Sequence, residues 1–184
     1  MQLELPTQEC LPTYYDDRGF FKEIWKNDRE SGRLDINRRH YQQDNFSYSK
    51  KNVFRGFHFQ NPNPQGKLVT VFHGRVIDIV IDLRKDSDTF KEYFVYVLSG
   101  ENNNQLYVPE GFAHGFISME DNTCFFYKNT NIYCKECEQC LAYDDPDIDV
   151  DWGQLLENPS QLIISEKDKQ GKTFKQLEEE DLLF

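Results

Sequence analysis

The chain has no surplus of positive charge. Its 184 residues carry 21 Lys and Arg against 32 Asp and Glu, a formal net charge of -11. That balance argues against nucleic acid as a partner, because neutralising phosphates takes an excess of cations. It equally disfavours a bare anionic membrane. No apolar run approaches the ~20 residues of a membrane helix, and Met1-Gln2-Leu3-Glu4-Leu5-Pro6 lacks the basic and apolar regions of a secretory signal. An anionic small molecule remains open, since surface charges are screened beyond ~8 Å at physiological salt. Arg18, Arg55 and Lys67 could form a local basic cluster that outweighs the global field.

Cysteine is scarce and odd in number, at five. A chain of this length buries a core without needing a disulfide framework, so a reducing, cytoplasmic location is expected. Three of the cysteines form Cys134-x-x-Cys137-x-x-Cys140. They read either as a zinc or iron–sulfur site, with Cys124 or Cys10 as a fourth ligand, or as three thiols in a polar loop. The second reading is favoured, because no second CxxC pair exists and acidic neighbours oppose a cluster of thiolates.

Helical periodicity is nearly absent before residue 150. Short β-type runs recur between turn residues instead: Gly19 to Lys26, Arg39 to Tyr48, Asn52 to Gln60, Lys67 to His73, Arg75 to Leu83, Glu92 to Leu98, Asn104 to Val108, Ala113 to Met119 and Thr123 to Asn129. Asn27 to Leu34 reads as a short helix or turn. Leu162-Ile163-Ile164 is a short apolar anchor, and Thr173 to Leu183 an acidic helix with Thr173 as its cap. The expected fold is all-β, a cupin-like jelly roll of two stacked antiparallel sheets with short peripheral helices. One domain is expected over 1–184, with the jelly roll at about 15–152 and an extension at about 153–184.

Arg55-Gly56-Phe57-His58-Phe59-Gln60 concentrates the chemistry. A strand sends every second side chain to one face, so Arg55 is out of phase with His58 unless a bulge or a kink at Gly56 re-aims one of them. His58, Lys67 and Tyr127 together offer a base, a cation and a phenol, a set suited to moving protons beside a carbonyl. Metal catalysis is the rival. Pro109-x-Gly111-x-x-His114 resembles the second half of a metal-binding cupin motif, but His58-Phe59-Gln60 lacks the second imidazole such sites use. A non-catalytic sugar-binding jelly roll would need the aromatics and cations and no proton donor.

Eight motifs occur in order: Asp17-Arg18-Gly19-Phe20-Phe21-x-Glu23, Gln43-Asp44-Asn45-x-Ser47-x-Ser49, Arg55-Gly56-x-His58-Phe59-Gln60, Gln65-Gly66-Lys67-Leu68-Val69, Pro109-x-Gly111-Phe112-Ala113-His114-Gly115-Phe116, Tyr127-Lys128-x-Thr130, Asp145-Pro146-Asp147-Ile148 and Ser165-x-Lys167-Asp168. Together they resemble the dTDP-4-dehydrorhamnose 3,5-epimerase family over about residues 15 to 170. The resemblance implies a metal-free and cofactor-free homodimer that inverts C3 and C5 of a dTDP-linked 4-keto-6-deoxyhexose. It implies His58 as the base, Asp168 as its orienting partner, Tyr127 as the acid on the opposite face and Lys67 beside the C4 oxygen. Arg18, Phe21, Glu23, Gln43, Asn45, Arg55, His114, Tyr133, Glu138 and Glu166 match positions lining the nucleotide-sugar site. Part of the Arg18 to Glu23 strand is expected to reach a neighbour's site across the dimer. Relatives of the same appearance invert only C3 or only C5, or use GDP- or CDP-linked sugars, and spacing alone does not separate these.

Overall fold

The structure, a computed structural model, describes residues 4–26 and 40–184. Thirteen strands dominate it: β1 (Thr7–Cys10), β2 (Thr13–Asp16), β3 (Gly19–Lys22), β4 (Gln43–Ser49), β5 (Val53–Gln60), β6 (Lys67–His73), β7 (Arg75–Asp82), β8 (Tyr93–Ser99), β9 (Asn104–Val108), β10 (Phe112–Ser118), β11 (Thr123–Asn129), β12 (Glu138–Cys140) and β13 (Ile163–Ile164). Two short helices follow β12: α1 (Trp152–Leu155) and α2 (Phe174–Glu179). One sheet runs β1-β9-β6-β11-β4 and the other β12-β5-β10-β7-β8, with β13 added parallel to β5. The remaining strands, β2 and β3, form a separate hairpin. The all-β jelly roll is therefore present.

The strand periods explain the layering. On β7, Val76 and Val80 point into the space between the sheets, while Ile79 and Ile81 belong to a second core on the outer face. Both faces are covered, which is why this strand reads as a nearly continuous apolar run. The inter-sheet core takes Val69, Val71, Leu98, Leu106, Val108, Phe112, Phe116 and Phe125 from both sheets. The outer core is closed by the C-terminal third, which lays Leu141, Ile148, Val150, Leu156, Phe174, Leu177 and Leu183 over the backs of β5, β7 and β10. From Leu141 onward the chain thus covers the outer face of the six-stranded sheet.

Boundaries differ from the sequence reading in instructive places. Gly19 to Lys26 is strand only as far as Lys22, and the pairing near Arg39 begins at Gln43. The expected turn over Asn27 to Leu34 lies outside the described residues. The acidic helix is shorter than its pattern, six residues, and starts where Thr173 caps it; Gln176 completes a reciprocal capping box. The Ile163-Ile164 anchor is strand β13, a parallel partner for Val53 and Phe54.

At Gly56 the register breaks. His114 faces His58 and Phe116 faces Arg55, so two steps on β10 oppose three on β5. This bulge resets the alternation and turns both Arg55 and His58 into the same cavity. Gly56 has φ +147, and a Cβ there would lie 2.5 Å from the Gly115 Cα. Only glycine fits so close to a facing backbone. Gly56→Ala is therefore expected to lower the unfolding free energy by at least ~2 kcal/mol, read by urea denaturation. An unchanged midpoint would mean that the two strands can part without cost.

Candidate active site

A cavity of about 680 Å³ opens between the two sheets. From the five-stranded sheet, β4 contributes Gln43, Asn45 and Ser47 at every second position, β6 its first residue Lys67, and β11 Phe125, Tyr127 and Asn129. Across from them β5 and β10 supply Arg55, His58 and His114. The loop before β12 adds Tyr133, β12 adds Glu138, and the turn after β13 adds Ser165, Lys167 and Asp168. His58 and Tyr127 thus come from opposite sheets and share one cavity.

His58 is held from behind. Its Nε2 lies 2.8 Å from Asp168 Oδ1, and Asp168 Oδ2 accepts from the Gly56 N–H at 3.4 Å. Asp168 is buried, with 6% of its side chain exposed against 31% for His58. Burial works against its ionised form. Hydrogen bonds from His58, the Gly56 amide and Ser165, with the charge of His58, outweigh burial and hold the carboxyl below its ordinary value. An ionised Asp168 fixes the Nε2–H tautomer and leaves Nδ1 as the nitrogen able to take a proton.

Lys67 is buried, and its ammonium donates to the His58 carbonyl at 3.2 Å. Desolvation pulls its pKa down to about 8, against the attraction of Asp78 and Glu138. It remains a cation at neutral pH inside a water-poor space, where its field is strong. Desolvation also raises the Tyr127 phenol, reinforced by Glu138 and opposed by Arg55, so Tyr127 stays protonated as a donor. His114 shares its Nε2 with both oxygens of the fully buried Asp78, at 2.9 and 3.0 Å. Burial lowers its pKa in spite of that carboxylate. Near the mouth, Glu138 Oε2 accepts from Lys167 at 2.6 Å and from the Tyr133 hydroxyl at 2.8 Å. Burial disfavours its charge, and those two donors more than compensate, lowering the Glu138 pKa.

Of the residues singled out in the sequence, Gln43, Asn45, Arg55, His58, Lys67, His114, Tyr127, Tyr133, Glu138 and Asp168 line this cavity. Glu166 is not among the lining residues. The turn from Ser165 to Asp168 sends residues 165, 167 and 168 inward, while exposed Glu166 pairs with Lys169 at 2.7 Å. Lys167, itself exposed, reaches the cavity mouth, and it was present in the Ser165-x-Lys167-Asp168 motif. Arg18, Phe21 and Glu23 also lie outside the cavity. Arg18 pairs with Asp16 at 2.6 Å on the β2–β3 hairpin, Phe21 is exposed there, and Glu23 sits 3.8 Å from Lys26. Asp78 was missed; its signal was a carboxylate in the middle of an apolar central strand, where an unpaired charge is too costly to stand.

The cysteine reading is corrected as well. Cys134 and Cys137 form a disulfide, and Cys140 is a separate free thiol on β12, opposite His58 in the strand register. With a sequence separation of 3, the bond constrains only its own tight turn. Among the described residues, no helix is long and apolar enough to cross a membrane.

A family model described as dTDP-4-dehydrorhamnose 3,5-epimerase matches residues 10–176. The dTDP-4-dehydrorhamnose 3,5-epimerase of Methanothermobacter thermautotrophicus is 44% identical over 165 residues, covering 89% of this chain and 86% of that protein. Its Pseudomonas aeruginosa counterpart is 42% identical over 159 residues, covering 86% and 85%. Among solved structures, the dTDP-6-deoxy-D-glucose-3,5-epimerase of Legionella pneumophila, in complex with dTDP-4-keto-L-rhamnose, superposes with a TM-score of 0.89. It is 38% identical and covers all of this chain and 94% of the other.

Lys67 carries a stability consequence of its own. Below pH 8 both folded and unfolded chains hold its proton, and the folded state bears the desolvation cost. Between about 8 and the ordinary 10.5 the folded chain releases the proton while the unfolded chain keeps it, so stability rises with pH across that window. Lys67→Met is expected to raise the unfolding free energy at pH 7, by up to about 3 kcal/mol, and to abolish that rise. A variant less stable than the parent at pH 7 would mean that the ammonium's bonds outweigh its desolvation.

Proposed function

Because the chain belongs to the dTDP-4-dehydrorhamnose 3,5-epimerase family, we propose that it inverts C3 and C5 of a dTDP-linked 4-keto-6-deoxyhexose. The observation that carries the reading is the placement of His58, backed by Asp168, on one wall of the cavity and of protonated Tyr127 on the facing sheet. A proton beside a ketone is weakly acidic, and its removal leaves a planar enolate. His58 Nδ1 takes the proton, and Asp168 stabilises the imidazolium that results. The negative charge gathering on the C4 oxygen is met by the Lys67 ammonium, prearranged in a desolvated site. Tyr127 then delivers a proton to the other side of the same carbon. Inversion follows from the two-sided geometry, since a single base would return the proton to the side it came from.

Binding draws on the remaining polar wall. Arg55, held by Ser49 Oγ at 3.1 Å and the Tyr48 carbonyl at 3.3 Å, and Lys167 offer charge to a diphosphate. Gln43 and Asn45, joined at 2.8 Å, offer amides. His114, kept in place by Asp78, stands near Lys67 with its Nδ1 free to accept a hydrogen bond from a substrate hydroxyl.

A homodimer is part of the proposal. The β2–β3 hairpin leaves Tyr14, Tyr15, Phe20 and Phe21 between 62% and 71% exposed, and a two-stranded ribbon alone is marginal in water. Phe46 and Tyr48 are exposed on β4, the edge of its sheet. A second copy would cover these rings and bring Arg18, Phe21 and Glu23 to a neighbouring cavity. Light scattering is expected to give twice the 21.9 kDa chain mass, and Tyr15→Asp with Phe20→Asp to shift it toward one chain. A monomeric parent protein would remove this part of the proposal.

The chemical test is turnover of dTDP-4-keto-6-deoxyglucose in deuterated water, with product read by NMR. Deuterium is expected at C3 and C5. His58→Asn should slow its incorporation by ~10²–10⁴-fold. Tyr127→Phe should still exchange ring protons while losing inversion, because His58 can return a deuteron to its own side. Inversion without solvent deuterium would defeat the mechanism.

A further inference from the structure

Cys140 has no part in the chemistry proposed above, yet its sulfur is placed where it matters. The Cys140 Sγ, a ring nitrogen of His58 and a carboxylate oxygen of Asp168 all lie within 4.8 Å of one another. Strand pairing accounts for this: Cys140 is the register partner of His58 in the β12–β5 pair, so both side chains rise on the same face of the sheet. The thiol makes only long contacts, to the Gly56 carbonyl at 3.6 Å and the Leu141 carbonyl at 3.7 Å. His58 lines the cavity, and Cys140, its neighbour across the β12–β5 pair, is itself partly exposed.

We propose that Cys140, His58 and Asp168 form a binding site for a soft divalent cation, Zn²⁺ foremost, and that its occupation switches off proton transfer at His58. Zinc prefers four ligand atoms at ~2.0–2.3 Å in a tetrahedron, which puts neighbouring ligands ~3.3–3.8 Å apart. The His58–Asp168 pair, at 2.8 Å, has to open only slightly to admit the ion. A sulfur and an imidazole select zinc over magnesium or calcium, which prefer oxygen alone. Three protein ligands leave the fourth corner to water.

The exchange balances simply. Cys140 gives its thiol proton to solvent and binds as thiolate. The proton on His58 Nε2 moves to Nδ1, and Nε2 donates its lone pair to the ion. Asp168 trades a hydrogen bond for a metal bond. The imidazole that faces substrate then carries a proton on Nδ1 and can no longer accept one. Inhibition rests on the reading of His58 as the base; binding does not.

A two-part experiment separates them. In a Cys134→Ser, Cys137→Ser background, which removes the other nearby sulfurs, the protein is titrated with Co²⁺ as a spectroscopic substitute. One equivalent should produce a thiolate-to-cobalt charge-transfer absorption that Zn²⁺ displaces. The band should vanish in Cys140→Ser and in His58→Asn, with Cys140→Ala replacing the serine variant should that one fail to fold. In parallel, Zn²⁺ should inhibit turnover reversibly to chelator. Cys140→Ser should keep the uninhibited rate and need at least tenfold more Zn²⁺ for half inhibition. No charge-transfer band, or equal Zn²⁺ sensitivity in Cys140→Ser, would overturn the site. A Cys140-dependent band in a protein with no epimerase activity would leave the site standing and remove the proposed function instead.

Discussion

One interruption in strand pairing underlies the whole site. At Gly56 the β5 strand takes an extra residue against β10, and that single step decides which way everything after it points. Had the alternation run on, Arg55 and His58 would face opposite ways, and the imidazole would be buried in the outer core where Phe57 and Phe59 now sit. The bulge is permitted by two glycines meeting back to back, Gly56 and Gly115. Side-chain absence at two positions thus fixes side-chain presence at two others. The same amide that the kink exposes also serves Asp168, so the distortion and the His58–Asp168 pair share an atom.

Around that kink the interior holds more charge than a jelly roll needs for stability. Asp78 and Asp168 are buried carboxylates, and Lys67 a buried ammonium. Removing charge from water is expensive unless partners replace the lost solvation. Each carboxylate has an imidazole within 3 Å, while Lys67 has a carbonyl and more distant charges. Lys67 is the least compensated of the three, as the role proposed for it beside a transient negative charge requires.

Much of this was legible from residue order. Period-two patterns located nearly all the strands of the two sheets, and β6, β9 and β11 match their expected ends. The short strands were not legible: β1, β2 and β12 are three or four residues long, too brief for alternation to register, and exist because a longer partner organises them. Motifs named His58, Asp168, Tyr127 and Lys67, and the fold brings all four to one cavity. They say nothing of direction at residues 166 and 167, where the turn brings Lys167 to the cavity mouth and leaves Glu166 paired with Lys169. Pairing among cysteines was likewise hidden. Equal spacing made Cys134, Cys137 and Cys140 look like one set, whereas a turn joins the first two and a strand carries the third away. Arg18, Phe21 and Glu23 lie outside the cavity of their own chain, and a motif does not say so.

The C-terminal third has a meaning beyond packing. Asp168 lies 110 residues after His58 in sequence, on a segment anchored by the two-residue strand β13 and by the apolar cover it lays over the sheet. Until that last portion has emerged and settled, a growing chain possesses the histidine without the carboxylate that orients it. The barrel alone therefore lacks both that carboxylate and the stretch of cavity wall that β13 and the turn after it supply.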